Sequence, residues 1–274
     1  EDVVTTLLTT SAHCDLLFFT DAGKVYQSKM YEIPEGRRAT KGKSIMNFLP
    51  LGGEEHVTSV LAVRKEDWDG DWSLMMITKN GVAKKSDAAA FREVRRSGLI
   101  AITLKDSDSL IAARFVGKGD EVSLITKGGQ AIRFKESDVR EMGRTAAGVA
   151  AMKLGKNDEI VSADVLKKGE KDREILIVTE HGYGKTTSAD EYKVQKRAGS
   201  GIKTAKVTDK TGKIVRGLII SIEEKAEGEL VIMSKKGQVI KLPLKDVPSL
   251  GRQTQGVRVM KMRAGDSIAS VVFV

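Results

Sequence analysis

One cysteine, four prolines, three histidines and 5% aromatics are all that 274 residues carry of those types. The lone Cys14 excludes an internal disulfide framework and fits a reducing cytoplasm. With prolines this scarce and the glycines falling at turns, no flexible linker divides the chain, and residues 1–274 read as one domain. His13, His56 and His181 stand in unrelated contexts, with no metal-like spacing to the cysteine. No apolar run approaches the roughly 18 residues of a membrane span. There is no G-x-S-x-G elbow, Walker loop or H-E-x-x-H. Tyr26, Tyr31, Tyr183 and Tyr192 lack the acids and arginine that would make one a nucleophile. No catalytic residue, cofactor or metal site is therefore expected. The sequence opens on Glu1-Asp2-Val3-Val4, without a signal peptide or start methionine, so a piece of a longer chain, or a processed chain, is expected.

What the chain does have is a repeat. A unit of about fifty residues recurs five times, each copy with two glycines. The first closes a tight turn: Gly23, Gly81, Gly129, Gly182 and Gly237. The second follows a polar, mostly basic stretch: Gly42, Gly98, Gly148, Gly201 and Gly256. Their separation is 19 residues in four units and 17 in the second.

Each turn glycine follows a short apolar run, such as Leu16-Leu17-Phe18-Phe19 or Ile175-Leu176-Ile177-Val178. Such a run ended by a polar-Gly turn predicts a buried strand and a hairpin, because glycine adopts positive φ without steric cost. A third, alternating strand is expected after the second glycine, as in Gly256-Val257-Arg258-Val259-Met260-Lys261-Met262, and a fourth closes the unit, as in Ile268 to Val274. Four strands at this period predict an all-β, propeller-like fold of four-stranded blades, five of them complete. Residues 3–10 resemble a closing strand without its hairpin. Either a sixth, partial blade lies upstream, or that strand completes a neighbouring blade by exchange. Helix is expected only as single turns in 86–93 and 135–141. Trp68 and Trp72 flank an acidic loop and read as packing residues.

Positive charge repeats with the fold. Lysine and arginine number 46 against 37 acidic residues, giving +9 and a pI near 9.4, which suggests a polyanionic partner. Before the second glycine stand Arg37, Arg38, Lys41 and Lys43; Arg92, Arg95 and Arg96; Arg140 and Arg144; Lys193, Lys196 and Arg197; and Arg252, with Arg258 just beyond. After the turn glycine stand Lys84 and Lys85, Arg133 and Lys135, Lys185, and Lys241. Equivalent placement on successive blades predicts a belt suited to DNA phosphates, which arginine, lysine and backbone N–H groups bind without sequence preference. Gly42, Gly98 and Gly201 are expected to let a phosphate approach the backbone. Turning roughly 40 bp through about half a circle costs on the order of 10 kcal/mol, which needs an array of some 8–10 contacts rather than a single patch.

Several stretches together resemble the C-terminal domain of the DNA gyrase A protein, which forms part of a type IIA topoisomerase. They are Phe18-Phe19-Thr20-Asp21-Ala22-Gly23-Lys24-Val25-Tyr26, Tyr31-Glu32-Ile33-Pro34-Glu35, Ile45-Met46-Asn47-Phe48-Leu49-Pro50-Leu51, Arg133-Phe134-Lys135-Glu136-Ser137-Asp138-Val139-Arg140 with Met142-Gly143-Arg144, His181-Gly182-Tyr183-Gly184-Lys185-Thr186, and Gly251-Arg252-Gln253-Thr254-Gln255-Gly256-Val257. The resemblance spans nearly the whole chain. It implies a β-pinwheel, usually of six blades with exchanged strands, that wraps duplex DNA around a basic rim. It also implies a cytoplasmic, ATP-dependent parent enzyme that introduces negative supercoils. Cleavage and ATPase sites would lie outside this segment, and the gyrase B protein and a second gyrase A protein would be partners through the rest of the chain; the domain itself is expected to be a monomer. The family's hallmark box, Gln-Arg/Lys-Arg-Gly-Gly-Lys/Arg-Gly, would fall just before Glu1. Degenerate copies remain at Gly36-Arg37-Arg38-Ala39-Thr40-Lys41-Gly42 and Gln195-Lys196-Arg197-Ala198-Gly199-Ser200-Gly201. Two alternatives stay open: the DNA-guiding domain of a topoisomerase IV, and a propeller scaffold for protein partners.

Overall fold

The computed structural model describes residues 3–36, 41–105 and 107–274. They fall into two compact units. One holds residues 9–118 with 139–149; the other holds 119–138, 150–274 and the segment ending at Leu8.

The first unit contains two sheets. In the first, the closing strand Val57–Val63 pairs with Asp15–Thr20, which pairs with Lys24–Lys29, whose far edge takes Leu99–Ile100 from the second repeat. The second sheet follows the same order: Leu110–Val116, Ser73–Thr78, Val82–Asp87, then the short strand Val149–Ala150 of the third repeat. Here the expectation needs correcting. The third strand does not join its own blade but is donated to the preceding one, and only two of its residues pair.

The other unit repeats the pattern. Ile160–Leu166, Glu121–Thr126 and Gln130–Lys135 are completed by Val194–Gln195 and Ile202–Lys203 of the fourth repeat. Ile214–Ser221, Arg173–Thr179 and Tyr183–Ser188 are completed by Val257–Arg258 of the fifth. The last sheet has three strands among the described residues: Ile268–Phe273, Glu229–Ser234 and Val239–Pro243. Residues 3–10 form no strand, contrary to expectation; they have no hairpin of their own to pair with, and Val4 donates its N–H to Met233 Sδ.

The glycine pattern has a steric cause. The turn glycines have φ between +76° and +93°, the hairpin conformation predicted for them. The second glycine is required twice over. Gly201 has φ +72°, and a Cβ there would lie 2.4 Å from Ala131 O; Gly256 has φ +80°, with Gly184 O at 2.6 Å. Donation of the strand brings its backbone against the acceptor strand with no room for a side chain.

Apolar runs become sheet-to-sheet cores. Leu17, Phe19 and Val25 pack with Leu74, Met76, Phe91 and Leu110. Leu16 and Phe18, on the opposite face of that strand, are covered by Leu49 with Ile45 and Phe48 of the long first loop. Both faces of the strand are thus buried, which is why it reads as an unbroken apolar run. In the other unit Ile125, Ile175 and Ile177 form one core, and Leu176, Val178, Leu230 and Ile232 another. Trp68 is buried and donates Nε1–H to Asp15 Oδ2 at 3.1 Å.

The expected helical turns are short 3-10 segments, Ala88–Phe91 and Glu136–Asp138. An α-helix, Ile222–Glu227, goes beyond the expectation; Ser221 and Glu224 form its capping box, and the sequence signal is that Ser-x-x-Glu spacing. No helix among the described residues is long and apolar enough to cross a membrane.

Candidate nucleic-acid interface

Strand order sets which edge of each sheet takes the donated strand. Within each unit, closing strands of successive sheets meet each other. Ser59 Oγ donates to Ala113 O at 3.1 Å in the first unit, and Gly217 N donates to Ser162 Oγ at 2.8 Å in the other. The donated strand lies at the opposite edge, so the basic stretch leading into it runs along the edge away from the closing strands.

These stretches are pinned at both ends of the same acceptor strand. In three blades the stretch enters through a parallel contact: Lys85 with Glu141, Val194 with Arg133, and Thr186 with Ser249. It leaves through the donated strand. In the first blade the entry contact is a side chain; Gln27 bonds Arg92 O at 3.2 Å and Val94 N at 2.9 Å. Arg95 and Arg96, Arg144, Lys196 and Arg197, and Arg252 all sit between the two pins.

Successive stretches are also bonded to each other. In the first unit, Thr103, just past one donated strand, bonds Ala146 O through its N–H at 3.2 Å and Thr145 O through its hydroxyl at 2.6 Å. In the other unit, Lys153 N reaches Gly199 O at 2.9 Å and Lys206 N reaches Thr254 O at 3.0 Å. Within each unit the basic loops therefore form a linked run.

The predicted cations divide into three groups. Lys41, Lys43, Arg95, Arg96 and Arg140 are exposed, and Arg144 is half-buried; no ion pair engages them among the described residues. Arg95 and Arg144, from successive repeats, line one open hollow of about 610 Å³. Lys196 and Lys241 are exposed but paired, Lys196 with Asp138 at 2.9 Å and Lys241 with Glu229. Lys85 is half-buried on the acceptor strand.

A second group is tied to the fold. Arg133 donates to Glu121 at 2.5 Å and to Ala189 O at 2.8 Å. Arg197 bonds Asp138 O at 2.9 Å and Ala150 O at 2.8 Å. Arg252 bonds Lys203 O at 3.0 Å and stacks over the Tyr192 ring.

The third group corrects the expectation of an exposed belt. Lys84 and Lys185 are fully buried, at 0% and 1% exposure. Lys84 donates to Ala101 O at 2.5 Å and to Arg144 O; Lys185 donates to Gly251 O at 2.7 Å and Arg252 O at 2.6 Å. Burial lowers both pKa values to about 8; at Lys84 the positive charge of Arg144 adds to it, and at Lys185 the negative charge of Glu191 opposes it while Arg252 adds to it. Arg37 and Arg38 lie outside the described residues.

Two glycines named as places for close phosphate approach do not offer it. The open side of Gly98 faces the Tyr26 ring, and that of Gly201 faces Ala131 O. Gly42 has nothing within 4 Å. The box-like segment 195–201 is the pinned lobe of the third blade. Among the described residues no cluster of acids, histidines and cysteine could hold a metal ion.

Blades completed by strand donation, with cationic loops linked along their edges, define an all-β repeat protein of the propeller type. The chain belongs to the family described as DNA gyrase C-terminal domain, beta-propeller, which it matches over 15–64, 73–116, 120–167, 173–221 and 228–274. The five matches coincide with the five repeats. It is 39% identical over 271 residues to the DNA gyrase A protein of Staphylococcus epidermidis, and 37% identical to that of Staphylococcus aureus. Each comparison covers 99% of this chain, which spans 30% of the length of those relatives. Among solved structures it resembles a DNA gyrase A C-terminal domain, with TM-score 0.80 and 27% identity over 96% of this chain and 83% of that one. The C-terminal domain of DNA topoisomerase IV aligns with TM-score 0.84 at 24% identity over 96% of this chain and 80% of that one, a likeness of fold.

Proposed function

We propose that this domain binds duplex DNA without sequence preference along its linked basic loops and bends it, as the wrapping domain of a gyrase A protein. The observation that carries the reading is the run of basic loops within each unit, pinned along the acceptor strands and bonded one to the next. Such an array sums many weak phosphate contacts along a continuous path, as bending a duplex requires. The parent enzyme would be an ATP-dependent type IIA topoisomerase of the cytoplasm, acting with the gyrase B protein and a second gyrase A protein. The bent segment would present a crossing to its cleavage gate and bias strand passage towards negative supercoils.

The test is a duplex of about 40 bp labelled at both ends. Saturating protein should bring the ends together, measured by fluorescence transfer. Affinity should fall steeply with salt and vary little with sequence. An unbent duplex at saturation removes wrapping and leaves the guiding role of a topoisomerase IV domain. No binding of the duplex even at low salt removes DNA and leaves a protein scaffold.

A further inference from the structure

Four acceptor-strand side chains, one in each of the first four blades, reach a donated loop from two adjacent stations of that strand. Gln27 and Arg133 stand four residues past their turn glycines, Gly23 and Gly129; Lys84 and Lys185 stand three past Gly81 and Gly182. Each reaches backbone of the basic loop that the next repeat lays on its strand. The two lysines differ from the other pair because they are interior. Neither ammonium has a carboxylate among its hydrogen-bond partners.

A buried ammonium is unfavourable unless its donors are satisfied, and a methionine of similar length would pack there without that cost. What the ammonium gains is oxygen acceptors: Arg144 O of the donated loop and Ala101 O of its own repeat for Lys84, and Gly251 O, Arg252 O and Thr254 Oγ1, at 3.2 Å, of the donated loop for Lys185. Carbonyl oxygens on a phosphate-facing loop repel the ligand. Tying them inward removes that repulsion, and a fixed positive charge beneath the loop adds attraction where solvent screens it least.

We propose that Lys84 and Lys185 are positioning residues for DNA binding. They hold the loops of the third and fifth repeats with carbonyls turned inward, which fixes the backbone that carries Arg144 and Arg252. The inference rests on the DNA-binding reading and extends it to interior residues that touch no DNA.

The test is Lys84→Met with Lys185→Met in the 274-residue chain, compared with Ile232→Ala, which opens the core of the last blade and removes no hydrogen bond to a basic loop. In the double variant, affinity for the 40-bp duplex should fall about tenfold at 0.1 M salt, and the salt slope should shrink by about 2, the two lost contacts. Amide exchange across residues 143–148 should accelerate at least tenfold in Lys84→Met alone, with exchange in the strand Val57–Val63 unchanged. Ile232→Ala should keep both slope and exchange. Unaltered slope and loop exchange in the lysine variants would overturn the proposal, as would an equal affinity loss in Ile232→Ala. Failure of the unsubstituted chain to bind would instead defeat the DNA-binding reading, while the exchange measurement would still report whether the clamps exist.

Discussion

Lys84 and Lys85 are neighbours in sequence, yet one is wholly interior and the other half-buried. Successive side chains of a strand point to opposite faces, so a basic pair on an acceptor strand is necessarily split. The charge pattern shows that both are cations; which one enters depends on the sheet packed against that face. The consequence is measurable. Burial holds the ammonium groups of Lys84 and Lys185 near pKa 8, below the ordinary value of about 10.4 of an unfolded lysine. Between those values the unfolded chain binds more protons, so stability rises with pH. Urea unfolding should therefore show increasing stability from pH 8 to about 9.5, and Lys84→Met with Lys185→Met should remove the increase. A falling curve in the unsubstituted chain would contradict the assignment. On the acid side, burial alone would raise the Glu55 pKa, but bonds from Gly52 N, Tyr26 and Lys24 hold it below the usual carboxylate range. Its contribution is present at neutral pH and is lost as pH falls through the folded value.

At the level of the element, the glycines carry the most information and are also the easiest to read too generously. Both sets announce themselves by spacing, and the turn set behaves as a hairpin requires. From Gly98 onward the second set is explained by strand donation rather than by ligand approach; Gly42 precedes no donated strand. A paired substitution separates the cases. Gly201→Ala forces an L-residue to φ +72° with its Cβ 2.4 Å from Ala131 O, and should cost about 2–3 kcal/mol in thermal or urea unfolding. Gly251→Ala, with nothing within 4 Å, should stay within about 0.5 kcal/mol. Equal effects would mean that the donated strand does not need its glycine. The helix Ile222–Glu227 offers a third check; Ser221→Ala removes the side chain that accepts from Glu224 N and should cost about 1 kcal/mol.

For the whole molecule, the arrangement of repeats matters more than any one of them. Residues 139–149 belong by sequence to the third repeat but by packing to the unit of the first two, because their strand completes the second blade. From the second repeat on, each basic loop is thus held by the blade that precedes it in the chain. Arg95 and Arg144, 49 positions apart in sequence, come to line one hollow. Arg95→Ala with Arg144→Ala should weaken binding to unrelated duplexes equally, reduce the salt slope by about 2, and leave unfolding unchanged within about 0.5 kcal/mol. An unchanged slope would place the phosphate path elsewhere on the molecule.

The repeat, the hairpins, the all-β class and the cationic stretches were determined by local sequence, since turn sterics and apolar runs act over a few residues. Tertiary structure alone decided the rest. A strand carries no mark of the edge it will join, so donation to the preceding blade, the shortening of the third strand to two paired residues and the burial of two lysines beneath the loops followed only when the sheets were assembled. Those choices depend on hydrogen-bond partners tens of residues away, and no pattern within one repeat encodes them.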